Sequence, residues 1–121
     1  IRTRRLCVIV LLTNDLMFQS RISGAVKSVG KAIVVDRTVE RVVQRSEQPS
    51  EVTLVLIDLT LDSLQLADAI PQLKLAFGSA KVLAFGPHVD VDRLSEAHES
   101  GADAVLTRGQ FDRDLVKIVG E

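Results

Sequence analysis

Residues 52–60 read VTLVLIDLT, a run of apolar and β-branched residues that ends on a carboxylate, Asp58. A strand with one face in water alternates apolar and polar residues. Here apolar side chains follow one another, so the strand is covered on both faces, as in a parallel sheet between two helical layers. The same pattern recurs in LCVIVLL (6–12), AIVV (32–35) and KVLAF (81–85), with a shorter AVL at 104–106.

Between these runs the period changes to that of helices. Over 15–29, Phe18, Ile22, Ala25, Val26 and Val29 form one stripe, closed by Gly30 at the position of a C-terminal cap. Val39, Val42 and Val43 predict a helix over 38–47, capped by Thr38 and stopped before Pro49. The third helix, 63–77, contains Pro71, which predicts a kink or a late start. Asp90 is placed to cap a helix through Ser100, stopped by Gly101, and 112–119 predicts a last short helix. Five βα units in succession imply right-handed crossovers and a three-layer αβα sandwich around a parallel five-stranded sheet. At 121 residues the chain reads as one domain, 1–121, able to bury about two thirds of its unfolded surface.

Composition narrows the function. Hydrophobic residues are 46%, charged residues 26% and aromatics 3%, with no Trp or Tyr, so the core is aliphatic. A net charge of −1 supplies no field for nucleic acid, and the basic cluster of Arg2, Arg4 and Arg5 has no stacking aromatics beside it. No apolar run reaches the length of a membrane span, and the basic, then apolar, opening reads as a buried first strand rather than a leader. The lone Cys7 is expected to be a small buried hydrophobe in a cytoplasmic protein.

In open parallel sheets the functional surface lies beyond the carboxyl ends of the strands. Here that rule gathers 13–15, 36–37, 58–60, 86–88 and 107–110. The candidate site is therefore Asp58, Asp15, His88 and Arg108, with Thr13, Asn14, Gly86 and Thr107 as neighbours. An ion pair between Asp58 and Arg108 is one alternative for this carboxylate. His88, Asp90 and Asp92 suit a loop, a cap and a first-turn acid better than a metal site. With no phosphate-binding glycine loop and no nucleophile paired to a histidine, neither a nucleotide site nor an enzyme is expected.

LVLIDL, ending on Asp58, and ESGADAVLTR, residues 99–108, resemble the third strand and the approach to the fifth in response-regulator receiver domains. The resemblance spans the whole chain and implies a flavodoxin-like fold with strand order 2-1-3-4-5. It makes Asp58 the phosphoacceptor position of a two-component phosphorelay, with Asp15 and Asp58 the candidate ligands for Mg2+. Thr13 and Asn14 stand where the family has its acidic pair, Gly86 where it has a Ser or Thr, Arg108 and Gly109 where it has Lys and Pro, and Val105 where it has Tyr or Phe.

Three functions follow. The first is a degenerate receiver that works by protein–protein interaction without Mg2+-dependent phosphorylation. Its implied contact surface is the fourth helix, fifth strand and fifth helix, including Arg93, His98 and Arg113. The second is a working phosphoacceptor that uses Mg2+, and the third is a domain that binds a small anionic ligand. The resemblance implies a histidine kinase or an output protein as partner, leaves a homodimer open, and requires no cofactor under the first reading.

Overall fold

The computed structural model describes residues 7–121; the Arg2, Arg4 and Arg5 cluster lies outside the described residues. The elements run β1 (Val8–Leu12), α1 (Leu16–Ser28), β2 (Ala32–Asp36), α2 (Val39–Arg45), β3 (Val52–Asp58), α3 (Leu66–Ala76), β4 (Lys81–Gly86), α4 (Val91–Glu99), β5 (Ala104–Thr107), α5 (Arg108–Arg113) and α6 (Leu115–Gly120). A 3-10 turn, Pro49–Glu51, leads into β3. All neighbouring strands are parallel, in the order β2-β1-β3-β4-β5, as expected.

The apolar runs are continuous because each strand supplies two cores. In β3, Leu54 and Leu56 face one layer while Val55 and Ile57 face the other. The first layer joins them to Phe18, Ile22 and Val26 of α1 and to Phe111, Leu115 and Val119 of α5 and α6. The second joins Val10, Leu12, Val82 and Ala84 to Val42 of α2, Leu66, Ile70 and Leu73 of α3, and Ala97 of α4. All four phenylalanines are buried. Phe85 stacks on Phe111 with ring centroids 4.2 Å apart, and Phe18 tilts against both.

The helix signals hold where capping chemistry is local. Thr38 accepts a hydrogen bond from the Arg41 N–H, and Gly30 and Gly101 take the left-handed conformations, φ 75° and 102°, that stop α1 and α4. Asp90 occupies the N-cap position of α4 but makes no side-chain capping bond. Helix α3 starts late, at Leu66, yet Pro71 still falls beyond its first turn. The Ala67 carbonyl thus loses its usual donor, on an exposed side of the helix where water can replace it.

Two expectations are corrected. The last helix is two short ones, broken at Asp114, and the first of them begins directly at the end of β5. Residues 107–110, TRGQ, form a capping box: Thr107 Oγ1 accepts from the Gln110 N–H and Gln110 Oε1 accepts from the Thr107 N–H. Cys7 is exposed, because β1 begins one residue later and leaves it at the rim of the sheet.

Across the sheet, Asp103 ties the loop before β5 to β4. Its two oxygens accept from Lys74 Nζ and from the Val82 N–H, each at 2.8 Å. The Lys74 bond first, and then the Val82 N–H, hold the carboxyl below its usual value of 3.8. Its contribution is therefore fully present above pH 4 and is lost as pH falls through the lower folded-state pKa. In Asp103→Asn one donor faces an amide NH2, so we expect about 1–2 kcal/mol of destabilisation at pH 7. Urea melts at pH 7 and at pH 3 should show this difference shrinking in acid.

Candidate functional site

Asp58 is the last residue of β3, in the middle of the sheet, and it is 1% exposed. Burying a carboxylate is costly unless donors replace its water. Three do. Thr13 Oγ1 donates to Oδ2 at 2.7 Å, while the Thr60 hydroxyl and backbone N–H donate to Oδ1 at 2.7 and 3.0 Å. The Thr60 pair is local: an aspartate followed two residues later by a threonine closes a side-chain turn on its own backbone. The Thr13 bond is tertiary, formed because β1 and β3 are neighbours in parallel register, with Leu12 opposite Ile57.

The network continues into α1. Thr13 Oγ1 accepts the Asp15 N–H at 3.1 Å, and Asp15 caps α1 by accepting the Phe18 N–H at 3.0 Å. That capping bond is the main reason the Asp15 carboxyl sits below its ordinary value; Arg108 adds to the effect. The Arg108 guanidinium lies 3.5 Å from Asp15 Oδ2 and 4.2 Å from the centre of the Phe18 ring. Among the described residues, Asp58 has no ion pair.

The structure therefore brings Thr13, Asp15, Asp58 and Arg108 together, but without the Asp58–Arg108 pair that was one alternative. Arg108 serves Asp15, and Asp58 is not an exposed carboxylate beside a cation: its neighbours are hydroxyls. The difference is one of reach and satisfaction. Once three donors occupy Asp58, a half-buried arginine gains more from the Asp15 carboxylate and the Phe18 ring face. Asn14 is exposed, and so is His88. Thr107 is taken up by the capping box of α5.

Gly86, at the end of β4, is closed by its neighbour. A Cβ built on it would lie 2.9 Å from Leu59 Cβ and 3.3 Å from Leu59 Cδ1. Leu59 itself is anchored, its N–H donating to the Phe85 carbonyl at 2.9 Å. Helix α4 then clamps this loop from outside. Arg93 donates to three carbonyls, Leu59, Leu61 and Leu64, at 3.3, 3.1 and 3.2 Å. Phe18 and Arg93 were not placed at the site by sequence reasoning, and Leu59 and Thr60 entered only as part of the loop 58–60. Of these, only Thr60 had a local signal, its two-residue spacing from Asp58. Arg93, expected on a partner-facing surface, points inward to loop carbonyls.

The donor set fits Mg2+ poorly. A divalent ion wants several oxygen ligands, with carboxylates among them. Here Thr13 and Asn14 are neutral, and Asp15 is engaged by the Phe18 N–H and Arg108. Among the described residues no group of three or more His, Cys, Asp or Glu side chains gathers to hold a metal. No described helix is long and apolar enough to cross a membrane.

No protein-family model and no curated protein sequence matches the chain. Solved structures do. A response-regulator receiver-domain protein from Clostridium thermocellum is 16% identical, with a TM-score of 0.72 over 95% of this chain and 94% of that one. The chemotaxis response regulator CheY4 of Vibrio cholerae is 9% identical, with a TM-score of 0.74 over 94% and 96%. A protein assigned to pilus assembly (cpaE) from Burkholderia thailandensis is 20% identical, with a TM-score of 0.68 over 94% and 95%.

Two outcomes test this geometry. Gly86→Ser, which restores a hydroxyl at the strand end, should destabilise the domain by about 1–3 kcal/mol through the clash with Leu59. Adding Leu59→Ala should recover part of that loss in a double-mutant cycle read by urea denaturation. Asp58→Ala leaves the Thr13 and Thr60 hydroxyls without their acceptor and should cost about 1–3 kcal/mol in the same assay. The chain has the fold of response-regulator receiver domains.

Proposed function

We propose that this domain is a degenerate receiver-like signalling module that acts in the cytoplasm through protein–protein contacts, with no Mg2+-dependent phosphorylation and no catalysis of its own. One observation carries the reading. Both oxygens of Asp58 are occupied by hydroxyl and amide donors from Thr13 and Thr60, beneath the surface.

A phosphoacceptor needs an oxygen free to attack, a cation to offset the charge on the transferring group, and donors for the phosphoryl oxygens. In this chain the attacking oxygens are already bonded and the neighbours that would hold a metal are Thr13 and Asn14. The hydroxyl position on β4 is Gly86, filled from above by Leu59. Arg108 is held on Asp15 and Phe18. The site is built to be satisfied at rest, which suits a structural core for an interaction module. The likeness in fold to a protein assigned to pilus assembly is in keeping with work through contacts to other proteins.

The test is an amide NMR spectrum of the chain with Mg2+, then with Mg2+ and beryllofluoride, and mass spectrometry after incubation with acetyl phosphate. We expect no saturable shifts at 13–15, 58–60 and 107–109 and no phosphorylated species. Shifts at those residues that disappear in Asp58→Asn, together with a phosphorylated species, would overturn the reading in favour of a working phosphoacceptor. Saturable shifts there with inorganic phosphate alone would favour an anion-binding domain instead.

A further inference from the structure

Among the described residues, the large apolar side chains left in water divide between the two helical layers: Leu16, Met17 and Val116 on the side of α1 and α6, and Leu75, Val89 and Val91 on the side of α3 and α4. The two layers differ in charge. Helix α1 carries Arg21 and Lys27 and no carboxylate. Helix α4 follows Asp90 and carries Asp92, Glu96 and Glu99, while its one arginine, Arg93, is turned inward onto loop carbonyls. Neighbouring side chains leave both signs standing. Beside α1, Asp112 meets Arg21 at 3.3 Å and Asp114 meets Arg113 at 3.6 Å, so Lys27 and Lys117 have no ion pair among the described residues. Lys31, on the Glu121 carbonyl, and Glu121 itself add one charge of each sign. Beside α4, Lys74 is taken by Asp103 at 2.8 Å and Glu96 lies 3.6 Å from Arg93, which leaves Asp90, Asp92 and Glu99 without an ion pair among the described residues.

Burial fixes which side of each helix faces outward. With Phe18, Ile22 and Val26 inside, α1 turns Met17, Ser20, Gly24 and Lys27 to solvent. With Ala97 inside and Leu94 half-buried, α4 turns Asp92, Ser95 and Glu99 outward, flanked by Val91. From N- to C-terminus the two faces share an order: an end with an exposed apolar side chain, a narrow middle of Ser or Gly, then a charge, positive on α1 and negative on α4. Their lengths agree, about 15 Å from Met17 to Lys27 and about 12 Å from Val91 to Glu99. A Cβ built on Gly24 meets nothing within 4 Å, so the middle of α1 is open to the approach of another helix. Both helices return antiparallel to the strands, so a second copy displaced across the layers presents its α4 to α1 in the parallel sense, apolar end to apolar end and Glu99 to Lys27.

We infer that copies of this chain stack head to tail, the basic face of α1 on one copy against the acidic face of α4 on the next. Because α1 and α4 lie in opposite layers, the contact joins two different patches and does not close on itself, giving short open stacks rather than a symmetric dimer. One helix pair buries less than a standard interface, so the association is weak and depends on concentration and salt. This gives the interaction reading above a partner, a second copy, and rests on that reading only in requiring a protein contact. Asp58 takes no part in it.

Sedimentation equilibrium from micromolar to millimolar chain, with amide NMR over the same dilution, tests the inference. At low salt we expect a mean mass that rises with concentration past that of two chains and falls as salt is added, with concentration-dependent shifts on both 16–28 and 91–99. Lys27→Glu and Glu99→Lys should each weaken the association at least about fivefold, and the combination Lys27→Glu/Glu99→Lys should restore it. Arg37→Glu, beside α2, should change nothing. A mass fixed at one chain, a mass that stops at two, shifts confined to one helix, or a combined variant no better than the single ones would each overturn it. The first of these would leave the interaction reading standing with a different partner.

Discussion

A carboxylate at the centre of a sheet must find donors in the protein, because water cannot reach it, and much of the upper surface of this molecule is arranged around that demand. Asp58 receives a hydroxyl from β1 and a hydroxyl and an amide from its own turn. Each of these bonds has a structural consequence. The Thr13 bond fixes the loop that starts α1, through the Asp15 N–H, and the Thr60 bonds set the turn that leads Leu59 over Gly86. With Leu59 seated there, the strand end has no room for a larger residue at position 86. The same contacts that make Asp58 tolerable in the core leave both of its oxygens hydrogen-bonded.

Arginines complete the arrangement, each in a different way. Arg93 turns inward and satisfies three carbonyls of an irregular loop, work that a planar, multi-donor side chain does and a lysine does not. Arg108 lies over the Phe18 ring beside Asp15 and joins α1 to the start of α5. Arg41 and Arg45 gather on Asp36 and cover the outer edge of β2, where Arg45 also takes the Val35 carbonyl, a backbone group that faces away from the sheet. Ion pairs this exposed add little to stability. Their effect is to fix where positive charge is displayed.

The parts legible in the sequence were those governed by short-range rules. Continuous apolar runs marked β1, β3 and β4 because a strand between two helical layers has no polar face. Thr38 and Gly30 marked helix ends because capping is a matter of a few adjacent residues. The capping box at 107–110 is equally local, but the same residues were gathered as a strand-end loop holding Arg108. Cys7 was misplaced for a simple geometric reason: an apolar neighbourhood in sequence does not bury a residue that sits one position outside the sheet. Arg93 shows the limit from the other side, since nothing in VDRLSE tells that its guanidinium will reach carbonyls 29 to 34 residues away.

By itself, then, the sequence determined the (βα)5 order, the two-sided burial of the strands and the placing of Asp58 at a strand's carboxyl end, because periodicity and chain direction are properties of neighbouring residues. Only the tertiary structure decided what Asp58 meets. Its partners come from strand neighbours far apart in the chain and from competition among donors within a few ångströms: Thr13 and Thr60 occupy the carboxylate, and Arg108 goes to Asp15 instead. That competition depends on distances between side chains that the linear order does not contain.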